Sequence, residues 1–238
     1  MNIQLSYREQ GRGEPLILLH GNGEDSSYFA EQIRCFSKTY RVIAVDTRGH
    51  GRTPRGTAPF TIRQFAEDLK GLMDRLKIEK AHILGFSDGG NIALVFALCY
   101  PQMVDHLILN GANLNARGMK LSVRIPVMAA YRKELFVTRL CRKMNPWLAA
   151  KAWRRVEVLS LMVNDPNIPL RALKRIQMPV LVIAGTRDMI KHSHTKLIGR
   201  EIPGAETVFV PGDHFVARNN PAEFNRRVKE FLYCSPRK

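Results

Sequence analysis

Ser87 has the setting for covalent chemistry. It stands in Gly85-Phe-Ser-Asp-Gly89, a G-x-S-x-G spacing whose end glycines let the backbone bend sharply and lift the hydroxyl clear of the chain. A serine hydroxyl is a weak nucleophile at its own pKa, so it needs a neighbouring imidazole as base. The imidazole in turn needs a carboxylate to fix its tautomer. Thr186-Arg-Asp188 and Pro211-Gly-Asp-His-Phe215 offer those groups. Upstream, His20-Gly-Asn-Gly23 has glycines on both sides of Asn22, so backbone N–H groups can turn toward one point, as the oxyanion of a tetrahedral intermediate requires. Each segment also has a plainer reading as a Gly-rich turn, and only the surrounding elements decide between the two.

Those elements read as an alternation of buried strands and amphipathic helices. Residues 3 to 19 read as a hairpin: Ile3 to Tyr7 alternates, Gln10 to Pro15 turns, and Leu16 to Leu19 is a buried strand. A helix over Ser27 to Phe36 precedes a strand at Arg41–Val45, closed by Asp46-Thr-Arg-Gly-His-Gly-Arg-Thr53. In that loop Asp46 and His50 suit bracing better than chemistry. Thr61-Ile-Arg-Gln64 is a capping box opening a helix with the stripe Phe65, Leu69, Leu72, Met73, Leu76. The apolar run from Ala81 ends at Gly85 and a helix follows Gly90, which puts Ser87 on a strand-to-helix turn, the context its motif needs. Further strands are expected at His106–Leu109, Met178–Gly185 and Glu206–Val210, and further helices from His194 to Ile202 and from Asn220-Pro221 onward. Ser87, Asp188 and His214 then stand beyond the carboxyl ends of three different parallel strands, the edge where open α/β sheets build their sites.

From Asn113 to Gln177 the alternation breaks. The spacing of Leu121, Ile125, Met128, of Leu140, Met144, Trp147 and of Val156, Leu159 is helical, and the segment carries both tryptophans, Trp147 and Trp153. This predicts a helical cap over 113–177 inserted into a core formed by 1–112 and 178–238, with Leu140, Trp147 and Trp153 supplying an apolar acyl pocket.

The segments that bear the chemistry occur in the order His20-Gly-Asn-Gly23, Asp46-Thr-Arg-Gly-His-Gly-Arg52, Gly85-Phe-Ser-Asp-Gly-Gly90, Gly185-Thr-Arg-Asp188 and Gly212-Asp-His-Phe215. Over essentially its whole length the chain resembles the α/β-hydrolases, in which the triad runs Ser, Asp, His. The resemblance implies an α/β fold with a mostly parallel central sheet, helices on both faces and a small helical cap. It implies Ser87 as nucleophile, His214 as base and acid, Asp188 as the orienting carboxylate, and the backbone N–H groups of Asn22 and Asp88 as the oxyanion hole. Serine at this position argues against dehalogenases and epoxide hydrolases, which place Asp there. Ser87-Asp-Gly-Gly90 resembles the biphenyl-hydrolase-like enzymes acting on amino-acid esters, where the acid after the nucleophile binds the substrate's ammonium. The plainer role for Asp88 is to complement the dipole of the helix it begins, and that is the expectation here. Asp213 is the alternative orienting acid, awkwardly adjacent to His214. His192 and His194, two apart on a helix, face differently and suggest no metal pair.

The expected activity is hydrolysis of a small carboxylic ester through an acyl-serine, with an amino-acid ester, a thioester or a carbon–carbon bond beside a carbonyl within reach of the same parts. No metal and no cofactor are expected. The rivals are a non-catalytic ligand-binding protein and a binder of anionic surfaces, the latter prompted by charge. The 238 residues carry a net charge of +16, and residues 113–178 hold fourteen Lys and Arg against Glu134, Glu157 and Asp165, a surplus of eleven. Weak anionic-surface binding fits that surplus, whereas no nucleic-acid partner is expected and the oligomeric state is not legible. No run approaches the roughly 18 apolar residues of a membrane span and the first residues lack a signal-peptide core, so a cytoplasmic location is expected. Cys35, Cys99, Cys141 and Cys234 lack metal or disulfide spacing and are expected as thiols.

Overall fold

The computed structural model describes residues 3–234. Seven strands form one sheet: β1 (Tyr7–Gln10), β2 (Pro15–Leu19), β3 (Arg41–Val45), β4 (Ala81–Phe86), β5 (Val104–Asn110), β6 (Val180–Gly185) and β7 (Glu206–Val210). Their order is β1-β3-β2-β4-β5-β6-β7, and every pairing is parallel except that of β1 with β3. The central strands are continuous apolar runs because helices cover both faces: β4 and β6 are buried at every position.

The expected hairpin over residues 3 to 19 does not form. β1 begins at Tyr7 and pairs with β3, not with β2, whose two edges are taken by β3 and β4. The reason lies in the residue types. Pro15-Leu-Ile-Leu-Leu19 buries its last four side chains and sits inside the sheet, whereas Tyr7-Arg-Glu-Gln10 is polar and half to fully exposed, which suits an edge.

The helices are α1 (Ala30–Phe36), α2 (Ile62–Arg75), α3 (Asp88–Cys99), α4 (Leu121–Cys141), α5 (Pro146–Val163), α6 (Leu170–Leu173), α7 (His192–Glu201), α8 (Val216–Asn219) and α9 (Pro221–Cys234). A 3₁₀ turn at Ser26–Phe29 takes the first part of the expected first helix. The capping residue of α2 behaves as its sequence requires, with Thr61 Oγ1 accepting from Gln64 N at 3.2 Å. One apolar core lies on the α2/α3 face of the sheet; the other joins α1 and α9 across the opposite face through Phe36, Phe224, Val228 and Phe231.

Between β5 and β6 the chain leaves the sheet and forms the α4–α5 hairpin. Its flanks belong to the core beneath: Leu114, Ile168, Leu173 and Ile176 are buried there, and Leu161 roots the end of α5 in the same cluster. No described helix is long and apolar enough to cross a membrane. Cys35, Cys99 and Cys141 are free thiols, and the side chain of Cys234 lies outside the described residues.

Candidate active site

Six strands run in one direction, so the segments that leave their carboxyl ends meet along one edge of the sheet. Ser87 follows β4, Asp188 follows β6 by a short turn, and His214 lies in the loop after β7. The structure brings these three together. Ser87 Oγ lies 3.0 Å from His214 Nε2, and His214 Nδ1 lies 2.7 Å from Asp188 Oδ1. With the carboxylate on Nδ1, the proton resides on that nitrogen and Nε2 is left to accept from the serine hydroxyl. Asp188 is fully buried, and its Oδ1 also accepts from Ile190 N at 2.8 Å, which fixes the carboxylate's orientation. The imidazole packs on Phe86 at 4.9 Å and Phe215 at 5.6 Å between ring centroids. Asp213 does not compete for it, because its carboxylate accepts from Phe215 N and Asn219 Nδ2 in its own loop.

Ser87 is held in a strained conformation, φ 54° and ψ −118°, its own amide donating to Asn110 O at 2.7 Å. A non-glycine residue there costs about 1–3 kcal/mol, which the neighbours must offset. The motif glycines permit this by close approach. A Cβ on Gly85 would come within 2.2 Å of the Gly89 carbonyl oxygen, and one on Gly89 within 2.0 Å of the Leu19 carbonyl oxygen. The turn is therefore pressed against the end of β2, where the His20-Gly-Asn-Gly23 loop begins.

That loop is braced by an imidazole. His20 Nδ1 donates to Gly21 O at 2.7 Å while Nε2 accepts from Thr47 N at 3.0 Å, and burial pushes its pKa down to about 4, which keeps the ring neutral and able to play both parts. Thr47 and His50 belong to the loop after β3, as does Asp46, which accepts from Ser26 N and Arg52 N. Asp46 and His50 thus engage neighbouring backbone and side chains within these loops, and Thr47 joins them. The same loop is pinned to α2 by a fully buried, bidentate pair, Arg48 Nε and Nη2 to Asp68 at 2.7 Å each. The amides of Asn22 and Asp88 make no hydrogen bond among the described backbone groups, Asp88 because it opens α3.

Asp88 is buried, and its carboxyl is pushed up to about 6, by burial first, with the Asn91 and Asn22 side-chain amides opposing. Oδ1 accepts from Asn91 Nδ2 at 3.2 Å; Oδ2 has no hydrogen-bond partner among the described residues. Asp88 stands in the first turn of α3, where the dipole favours an acid, and it is buried there. Asn91 also accepts from Asn113 N at 2.8 Å, tying the root of the inserted segment to α3. Asn91 was not singled out from the sequence, yet it was visible there as the lone amide in Ile92-Ala-Leu-Val-Phe-Ala-Leu98's apolar company. Glu24 and Arg218 were also missed: they pair at 3.6 Å beside Tyr28, and burial pushes the Glu24 carboxyl up. Glu24 lies in a loop and Arg218 in the single turn of α8, and neither segment is long enough to carry a periodic signal.

The hairpin reaches the site through α5, where Val158 O accepts from Asn22 Nδ2 at 2.9 Å. The expected pocket residues are not buried against Ser87. Leu140, Trp147 and Trp153 are 54%, 70% and 49% exposed. α5 turns Ala149, Ala152 and Val156 inward, three small or branched residues at helical spacing, and the tryptophans take other faces. No side chain of α4 is fully buried, and its inner face, Val123, Val127, Tyr131 and Leu135, is half-buried.

His192 and His194 do not converge on a common point. His194 Nε2 accepts from Leu114 N at 3.0 Å, and His192 packs on Phe209. At the opposite edge of the sheet His82, Asp105 and His106 form a group of potential ligands. Lys80 Nζ stands 3.0 Å from Asp105 Oδ1, so that carboxylate is already matched by a cation.

A family model described as "alpha/beta hydrolase fold" matches residues 14–133. The chain is 29% identical to the human "Serine hydrolase BPHL", the alignment covering 97% of this chain and 83% of that one. It is 31% identical to a 2-hydroxy-6-oxononadienedioate/2-hydroxy-6-oxononatrienedioate hydrolase of Paraburkholderia phymatum, covering 97% and 91%. Among solved structures, a hydrolase from Pseudomonas aeruginosa superposes with a TM-score of 0.77 at 27% identity, over 97% of this chain and 94% of that one.

Proposed function

Since the chain belongs to the α/β-hydrolase fold family and is an enzyme of that type, we propose that it is a serine hydrolase cleaving small carboxylic esters through an acyl-Ser87 intermediate. One observation carries the reading: Ser87, His214 and Asp188 form a continuous hydrogen-bonded series of 3.0 and 2.7 Å on a left-handed turn that exposes the hydroxyl. Ser87 Oγ attacks the acyl carbon as its proton passes to His214 Nε2. Asp188 holds Nδ1–H and balances the imidazolium. The carbonyl oxygen becomes an oxyanion held by the amides of Asn22 and Asp88, fixed backbone donors of the kind that stabilise such a charge. Collapse returns the proton from His214 to the departing alcohol, and a water deprotonated by the same nitrogen then releases the acid from Ser87. Every step uses protein groups and water. Turnover of a series of chromogenic esters of increasing acyl length, with Ser87→Ala as control, tests the proposal; turnover retained in Ser87→Ala would sink it.

A second reading, cleavage of esters bearing an α-amino group, is favoured by Asp88. Its Oδ2 is buried and unpartnered, and an ammonium beside the scissile ester would complete it. With its carboxyl raised to about 6 the group is an anion only above that pH. A kcat/KM preference for the amino ester should therefore grow as pH rises through about 6, persist in salt and vanish in Asp88→Asn. A preference that salt removes and Asp88→Asn leaves intact would assign it to long-range steering by the basic segment.

A further inference from the structure

The α4–α5 hairpin leaves a row of large apolar side chains facing solvent. Along α4 the solvent-facing positions recur at helical spacing, and they include Leu121, Ile125, Phe136 and Leu140, which at 100° per residue fall within about 100° of arc. Met144 and Trp147 continue the exposed stripe across the turn into α5, and Trp153 is exposed a turn and a half beyond. A helix of 21 residues spans about 30 Å, so this is an extended strip rather than a scattered set of side chains.

The same strip is basic. Arg132, Lys133 and Arg139 are interleaved with the apolar residues of α4, and Arg142, Lys143, Lys151 and Arg154 follow around the turn, all exposed. The acids of the hairpin are engaged: Glu134 accepts from Arg155 at 3.1 Å, and Glu157 from Arg55 Nε at 3.0 Å. Lys151 Nζ lies 5.2 Å from the Trp147 ring, which keeps a cation beside an exposed aromatic face. The chemistry that suits alternating aliphatic, tryptophan and Arg/Lys side chains on one exposed helical strip is a membrane interface, where rings and aliphatic groups enter the headgroup boundary and cations meet lipid phosphates. A second copy of the chain would bring the same cations face to face with these and be repelled. A nucleic acid would satisfy the charges but leave the aliphatic side chains in water.

We propose that the exposed strip of α4–α5 docks on the surface of anionic phospholipid bilayers, lying in the interface without crossing it. The proposal stands independently of the reaction assigned to Ser87. Because α5 also touches the loop of Asn22 through Val158, docking would place the catalytic edge of the sheet toward the lipid.

The full chain is mixed with vesicles of phosphatidylcholine alone, or with about a third phosphatidylglycerol, and followed by sedimentation and by tryptophan emission. Both tryptophans of the chain lie on α5, so the emission reports on the hairpin alone. The expected result is partition onto the anionic vesicles at least about tenfold stronger than onto neutral ones, weakening as salt rises, with emission moving to shorter wavelength. Ile125→Ser/Phe136→Ser, at exposed positions that put folding at little risk, should weaken partition about tenfold and reduce the emission shift. Absence of partition onto anionic vesicles at low salt overturns the proposal. So does sedimentation with no emission shift that the double variant leaves unchanged, which would mark simple polyanion adsorption. Lipid-independent self-association that shifts the emission would reassign the strip to a second copy.

Discussion

Ser87 and His214 act on one proton, so their losses should not add. Ser87→Ala and His214→Ala should each lower kcat by roughly 10³ to 10⁶, and the double variant should be no worse than the poorer single one; additive losses in steady-state kinetics would mean the two side chains serve different steps. Asp188→Asn should cost on the order of 10⁴ in kcat by favouring the wrong tautomer, while Asp213→Asn, whose carboxylate serves its own loop, should cost far less. The opposite ranking would move the orienting role. Asp88 also bears on stability. Its carboxyl is raised to about 6 in the folded chain, so the folded state holds the proton more tightly than the unfolded one, and the stability this gives is complete below the ordinary carboxylate pKa and lost as pH rises through about 6. Asp88→Asn should therefore gain on the wild type by roughly 2–3 kcal/mol between pH 4 and 7. A denaturant-measured difference that stays flat with pH would show that the buried carboxyl does not titrate as described. Ser87, His214 and Asp188, the residues proposed as nucleophile, base and acid, were legible in the sequence because each follows the carboxyl end of a strand. The burial of Asp88 was not, since it depends on how α3, which carries both Asp88 and Asn91, is covered by elements distant in sequence.

At the scale of elements, the site rests on a sequence of braces: Asp68 on α2 holds Arg48, the loop of Arg48 presents Thr47 N, and Thr47 N fixes His20 at the base of the Asn22 loop. Asp68→Asn leaves a buried guanidinium poorly matched and should destabilise the fold by about 3–5 kcal/mol in urea titration; a cost under about 1 kcal/mol would show that the pair is dispensable to the fold. The strand-helix alternation was readable because buried parallel strands are continuous apolar runs and α2 and α9 begin with clear caps or proline. The pairing of β1 was not readable, because sequence adjacency suggests a hairpin while edge polarity decides the neighbour. The hairpin of helices was readable as helices, but not in orientation. The spacing of Leu121, Ile125 and Leu140 reads as an inward face, whereas on α4 these residues lie outward, and the inward face of α5 joins Ala149 and Ala152, which carry little hydrophobic signal, to Val156 and Leu161.

Taken whole, the molecule sets a sheet whose carboxyl edge gathers Ser87, Asp188 and His214 beside a basic, apolar-surfaced hairpin. Eleven of the sixteen surplus positive charges fall in the segment 113–178 that carries the hairpin. The account as a whole depends on Ser87 being an activated nucleophile. The most direct measurement is covalent labelling with a fluorophosphonate, followed by intact mass and peptide mapping, in wild type and His214→Ala. The expected result is a single adduct on the peptide holding Ser87, formed at least about a hundredfold faster in wild type than in His214→Ala. An unlabelled Ser87, or labelling at a rate indifferent to His214, would contradict it.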